Sequence, residues 1–209
     1  MSEDHYFTAQ PASVDERRLI SVRLAGRDCD VETARGVFSP GHIDLGTQVL
    51  LRHVPAPEPG SLLDLGCGWG PLALTAALQQ PHAHITALDV NERALDLVRR
   101  NATRLGATHE LAPIDALTPD QVPADAVFDT LWSNPPIRVG KQALHDLLTR
   151  WLPRVRSGGT AYLVVQRHLG ADSLTTWLGA QRDDAGAPWG TVERLGSAKG
   201  FRVLALTRT

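Results

Sequence analysis

The stretch "SNPPIRVGK", residues 133–141, closes an apolar run with an asparagine and two prolines, then adds an arginine and a lysine. Proline has no backbone N–H, so Pro135 and Pro136 remove two donors and keep their carbonyls. Each residue before a proline is also pushed to extended geometry. The product is a stiff, acceptor-rich lip. The side-chain oxygen of Asn134 and the carbonyl of Pro135 can both accept hydrogens from one incoming amino group and fix its orientation.

What the amine would meet is suggested by "LLDLGCGWGPLAL", which sets Gly66, Gly68 and Gly70 at alternate positions between a strand and a helix. Glycines there permit a tight turn and close backbone approach, and the following helix start offers N–H groups to a carboxylate. A glycine-rich turn alone is weak evidence. Three features sharpen it: Asp64 stands two residues before the first glycine, the spacing is GxGxG rather than GxGxxG, and Asp89 ends the next strand. An acid about 20 residues on is placed for ribose hydroxyls. Asp115, in "LAPIDAL", is expected at the end of a third strand, where its carboxylate would accept an adenine amino hydrogen. Taken alone, Asp115 reads equally well as a helix cap or surface residue.

The elements that would position these residues alternate. "SLLDL", "HITALDV", the "IDAL" segment, "VFDTLWS" and "GTAYLVVQ" read as short buried strands. Between them "PLALTAALQ" has proline where a first helical turn tolerates it. Asn91 caps a helix with Ala94, Leu95, Val98, Ala102 and Leu105 on one side and Gly106 as terminator. Lys141 to about Val155 is amphipathic, with Pro153 near its end. "DSLTTWLG" suggests one more helix. "TVERLGS" and "FRVLALT" stand too close for a crossover and predict an antiparallel pair. Ahead of these, residues 1–36 suggest a β-hairpin turning at "AGRD", a lid or flank, and a short helix is expected from near Thr47. The fold class predicted is α/β: a doubly wound, mainly parallel seven-stranded Rossmann-like sheet with an antiparallel edge and a small N-terminal hairpin.

Composition narrows the classes. At 209 residues and 43% hydrophobic the chain can bury one α/β core with a small appendage. A net charge of −2 argues against coating nucleic acid by bulk attraction and leaves only local contacts. Cys29 and Cys67 are too few for a disulfide framework, and eight scattered histidines show no metal-ligand spacing. No metal is expected. The polar N-terminal stretch lacks an apolar targeting core, no run is long enough for a membrane span, and a cytoplasmic location is expected.

The order "DLGCGWG", "ALDVN", "IDAL", "SNPPIRVGK" resembles class I S-adenosylmethionine-dependent methyltransferases, specifically the small-domain family that includes ribosomal RNA small-subunit methyltransferase C. "HYFT" and "GVFSPGHIDLGTQVLL" resemble the segments before the glycine turn in single-domain members. The resemblance implies a hairpin flank over residues 1–36 and a methyltransferase domain over 37–209. It implies S-adenosylmethionine as cofactor, its methionine part lined by Asp64, Gly66, Cys67, Gly68 and Gly70. Cys67 is there as packing, because transfer from a sulfonium needs no thiol. Asp89 with Val90 would hold the ribose, and Asp115 with Ala116 the adenine. Phe38, Asp44 and Thr47 would close the pocket from the N-terminal side, although they also read as a turn and a helix start.

Asn134, Pro135 and Pro136 match the family motif that grips an amino nitrogen, with Asn134 also beside the cofactor. The implied reaction is N-methylation, of the exocyclic N2 amine of a guanine in ribosomal RNA of the small subunit. Ile137 stands where many members of the wider group carry an aromatic that stacks on the base, so base recognition must rest partly elsewhere. Arg138 and Lys141 are candidate phosphate contacts, with Lys199 and Gln166 as further substrate residues. A solvated helix start for Lys141 and a plain turn for Lys199 fit as well. Methylation of a protein glutamine amide or a small-molecule amine, a non-catalytic cofactor-binding module, and a nicotinamide oxidoreductase are the other readings.

Overall fold

The computed structural model describes residues 16–209, so "HYFT" lies outside the described residues. Strands β1 (Arg17–Leu24) and β2 (Arg27–Ala34) form a hairpin. Then follow α1 (Leu45–His53), β3 (Ser61–Leu65), α2 (Pro71–Gln79), β4 (His84–Leu88), α3 (Glu92–Gly106), β5 (Ile114–Leu117) and β6 (Phe128–Ser133). The chain continues through α4 (Lys141–Trp151), β7 (Val155–Gln166), α5 (Ala171–Ala180), β8 (Gly190–Ala198) and β9 (Phe201–Arg208). Seven strands take the order β5-β4-β3-β6-β7-β9-β8, mainly parallel and closed by the antiparallel β9 and β8. The described chain forms two compact units, residues 16–44 with Ala56–Ala124 and Leu45–Pro55 with Asp125–Thr209.

In the first unit β3, β4 and β5 run parallel. The hairpin turns through Ala25 and Gly26, both at positive φ, the two-residue geometry whose twist suits antiparallel strands. Its inward face, Leu24, Cys29 and Val31, joins Trp69, Leu74, Leu97 and Leu105 in one core. Asn101 of α3 is fully buried and stitches that core. Its Oδ1 accepts the Glu32 N–H at 2.6 Å, and its Nδ2 donates to the carbonyls of Glu32 and Trp69. Asn91 caps α3 as expected, accepting from the N–H groups of Arg93 and Ala94. Gly106 does not terminate α3 by a left-handed turn. It is the last helical residue, and Ala107 caps in right-handed geometry because its N–H finds the Thr103 carbonyl.

In the second unit β7 pairs parallel with β6 and antiparallel with β9, and β9 pairs with β8. The amphipathic helix ends earlier than its periodicity suggests. α4 stops at Trp151, and Pro153 sits in a tighter turn, Leu152–Arg154, before Val155 opens β7. Leu144, Leu148 and Trp151 are its buried face. The His145 ring stacks on Trp177 of α5 at 3.9 Å, and Trp189 meets Trp177 edge-on at 6.2 Å. Strands β8 and β9 are joined by only Lys199 and Gly200, shorter than the sequence pattern indicates. Helix α1 packs in this unit, where a Cβ added at Gly196 would fall 2.1 Å from the His53 ring. Among the described residues no helix is long and apolar enough to cross a membrane.

Candidate active site

Two constellations carry chemistry, one in each unit. In the first, Gly66, Gly68 and Gly70 all take positive φ, of 79°, 54° and 97°, which explains why the turn needs glycine three times. The Leu88 carbonyl accepts the N–H groups of Gly66 and Cys67, anchoring the turn to the end of β4. Asp89 completes the anchor. Its Oδ2 accepts the Gly68 N–H and its Oδ1 accepts the Asn91 N–H, both at 2.9 Å. Burial raises the Asp89 carboxyl above the usual range, opposed by these N–H donors. Val90, beside it, is 42% exposed. A Cβ added at Gly66 would meet nothing within 4 Å, so the backbone there is open to a close-lying ligand.

Asp64 is fully buried. Its Oδ2 accepts the Ala73 N–H of α2 at 2.9 Å, while its Oδ1 has no hydrogen-bond partner among the described residues. Burial pushes its carboxyl up to about 8, with the nearby Asp89 charge adding to the effect. The folded state therefore keeps a proton that the unfolded chain sheds near pH ~4. The stabilisation from protonated Asp64 is full below that pH, is lost as pH rises toward 8, and changes little beyond. Urea unfolding across this window checks it: the wild type loses stability with rising pH, and Asp64→Asn flattens that component. Cys67 is buried with its thiol pushed well above the usual range, again by burial, which suits packing and not chemistry.

Phe38 lies over the turn, 3.9 Å from where a Cβ on Gly68 would stand. Sequence reasoning missed what holds it. The carbonyls of Arg35, Gly36 and Ser39 accept from Arg93, Asn91 and the Trp69 indole, so residues 35–39 form a strap tied to α3 and to the turn. Ser39 sits at φ 48° within it. Asp44 is half-buried and immediately precedes α1. Ala116 is buried in β5.

Asp115, expected to meet the adenine, lies beside a histidine. It is the second of four residues in β5, paired with Thr86, and its Oδ2 lies 2.8 Å from His84 Nε2 at the start of β4. Register is the reason: Leu117 stands level with Leu88, and its carbonyl accepts the Asp89 N–H.

The second constellation is the lip. Ser133, fully buried, ends β6, and Asn134 follows with its Nδ2 donating to Thr47 Oγ1 at 3.1 Å. Thr47 is itself buried, in α1. Its hydroxyl orients the asparagine amide. Pro136, at φ −73° and ψ 79°, centres an inverse γ-turn in which the Pro135 carbonyl accepts the Ile137 N–H at 2.8 Å. A carbonyl has two lone pairs, so the turn aims Pro135 and leaves it acceptor capacity. Pro135 is buried, and Pro136 and Ile137 are half-buried. Arg138 falls in the short turn that follows, and Lys141, exposed, starts α4. Gln166 ends β7 opposite Phe201, next to the turn bearing Lys199.

The seven-stranded order with an antiparallel end, and a glycine turn followed by an acid closing the next strand, define a class I methyltransferase fold. The methyltransferase small domain profile matches residues 28–205, and the chain belongs to that family. The fold is that of S-adenosylmethionine-dependent methyltransferases. The chain is 33% identical over 175 residues to the YbxB protein of Bacillus subtilis strain 168, covering 83% of this chain and 86% of that one. It is 32% identical over 210 residues to ribosomal RNA small subunit methyltransferase C of Pseudomonas entomophila strain L48, covering 98% of this chain and 58% of that one. Among solved structures, the 16S rRNA N2 methyltransferase RsmC of T. thermophilus, in complex with AdoMet and guanosine, superposes with a TM-score of 0.75. Identity there is 24%, over 95% of this chain and 52% of that one. The chain thus spans little more than half the length of these ribosomal relatives. The open backbone over Gly66 and the orphaned Oδ1 of Asp64 fit a polar cofactor at the turn.

Proposed function

We propose that this protein methylates the exocyclic N2 amine of a guanine in RNA, ribosomal RNA of the small subunit foremost. The observation that carries the reading is the pair of acceptors at the lip, the Asn134 amide oriented by Thr47 and the Pro135 carbonyl aimed by its γ-turn. The names of the ribosomal relatives support RNA as the substrate class. We place the activity in the cytoplasm, with the RNA.

S-adenosylmethionine supplies, when bound, an electrophilic methyl on a sulfonium and leaves as a neutral thioether. Gly66, Gly68 and Gly70 would line its methionine part, and Asp89 would accept from its ribose hydroxyls. Asn134 Oδ1 and the Pro135 carbonyl accept the two hydrogens of the planar amine, which sets its weak lone pair perpendicular to the base. As positive charge develops on that nitrogen its hydrogens become more acidic, and both hydrogen bonds strengthen. This is stabilisation the transition state receives and the ground state does not. The proton then leaves to water. Ile137 covers the base edge by aliphatic contact, with Lys141 and Gln166 as substrate contacts.

Thr47 is a positioning residue here. Thr47→Val, which keeps shape and loses the hydroxyl, lowers kcat about tenfold, the worth of one hydrogen bond of about 1.4 kcal/mol. Cofactor affinity stays unchanged, and Thr47→Ser restores most of the rate. The function itself is tested by offering labelled cofactor with unmodified small-subunit RNA, a glutamine-bearing peptide and a small aryl amine. Label in RNA alone is expected. Label in the peptide or the small amine, with none in RNA, overturns the substrate class.

A further inference from the structure

The carboxyl end of the second unit gathers cations in sequence, and three of them form no ion pair among the described residues. Three segments meet the solvent there: 134–141 after β6, 166–171 after β7, and 197–202 around the β8–β9 turn. Together they carry Arg138, Lys141, Arg167, Lys199 and Arg202 and no aspartate or glutamate, in a chain whose net charge is −2. Both lysines of the whole sequence are among them. Arg202 pairs with Asp172, but Lys141, Arg167 and Lys199 form no ion pair among the described residues. Elsewhere some exposed arginines are paired, such as Arg100 with Asp96 and Arg104 with Glu32.

Arg167 and Lys199 are brought together by the backbone. Gln166 pairs with Phe201, and the Arg167 N–H donates to the Gly200 carbonyl at 2.8 Å. The turn they share takes φ 48° at Lys199 and 83° at Gly200. That geometry calls for asparagine or glycine at its first position, so a lysine there is held against backbone preference. Height matters too. Ser133, at the foot of the lip, is level with Leu163, and β7 runs three residues further. Gln166, which leads into the Arg167–Lys199 pair, therefore stands about 10 Å beyond Ser133 along the strand direction. Leu169, 45% exposed beside them, offers apolar surface to a sugar or base.

We propose that Arg167 and Lys199 form a phosphate-binding rim that holds a single RNA strand while one of its guanines enters the lip. This rests on the RNA reading above. Arginine grips a phosphate in bidentate fashion and lysine adds a point charge. The strand must be unpaired, because a guanine amine engaged in a base pair cannot present its Watson–Crick edge to Asn134.

The test titrates the full chain with a labelled single-stranded guanine-containing oligoribonucleotide between about 50 and 200 mM salt. The joint variant Arg167→Ala with Lys199→Ala is expected to lower the log–log salt slope by about 1.4, at ~0.7 per single-strand phosphate contact. Arg182→Ala, beyond the far end of α5, leaves the slope unchanged. Lys199→Gly separates fold from contact, since it relaxes the turn, raises thermal stability, and still lowers the slope by about 0.7. A wild-type slope retained in the joint variant overturns the rim and leaves the RNA reading standing. Equal affinity for the same sequence in duplex form overturns the single-strand requirement. A wild type that binds no RNA and methylates the peptide or small amine overturns the RNA reading, and the rim with it.

Discussion

Asn134→Ala lowers kcat for methyl transfer by about 10²- to 10³-fold, the usual cost of deleting one preorganised hydrogen-bonding group aimed at developing charge. Asn134 follows directly from β6, and its amide is oriented by a buried threonine, so the group is rigid before substrate arrives. Deleting it leaves the Pro135 carbonyl alone, which can hold an amine but cannot fix its rotation. None of the glycine turn's hydrogen bonds involves Asn134, so cofactor affinity is expected to stay within about twofold. Equilibrium binding of S-adenosylmethionine alongside single-turnover kinetics separates the two effects. A variant that transfers methyl at the wild-type rate would remove Asn134 from the chemistry.

Asp89→Ala does the reverse, weakening S-adenosylmethionine binding by about 10²-fold. Two hydrogen bonds to a charged acceptor, at about 1.5 kcal/mol each, give that order. The carboxylate has a second duty that enlarges the loss, because Gly68 and Asn91 both donate to it and the turn loosens when it goes. Asp89→Asn, which keeps one acceptor oxygen, binds with intermediate affinity. Saturating cofactor rescues kcat in both variants. Calorimetric titration gives the affinities directly, and unchanged binding in Asp89→Ala would mean that the acid serves the fold alone.

Residues whose type is imposed by local geometry were legible in the sequence. Gly66, Gly68 and Gly70 are written by three positive φ angles, and Asn91 by the N–H groups at the start of α3. The Pro-Pro lip announced an extended, acceptor-rich segment because proline fixes φ. The ψ of 79° that turns Pro136 into a γ-turn has no such signature.

Pairings set by register or by distance along the chain were not legible. Thr47 and Asn134 stand 87 residues apart, and Asn101 reaches Glu32 across 69, with no local pattern to mark either. Asp115 was placed at a strand end because a four-residue strand shows too little alternation to fix its register, and one step of register decides which residue stands beside Asp89. The ends of α3 and α4 depend on which carbonyl the next N–H finds, a competition that Gly106 and Pro153 bias without deciding.

Digestion of the methylated RNA to nucleosides, with the position of the labelled methyl read by mass spectrometry, tests the proposed chemistry most directly. The lip is built to hold an exocyclic amine by two acceptors, so N2-methylguanosine is the expected product, formed about 10²- to 10³-fold more slowly with Asn134→Ala. Methyl found on a ring nitrogen, a carbon or a ribose hydroxyl, with N2 unmodified, would contradict the assignment of Asn134 and Pro135 as an amine-holding pair.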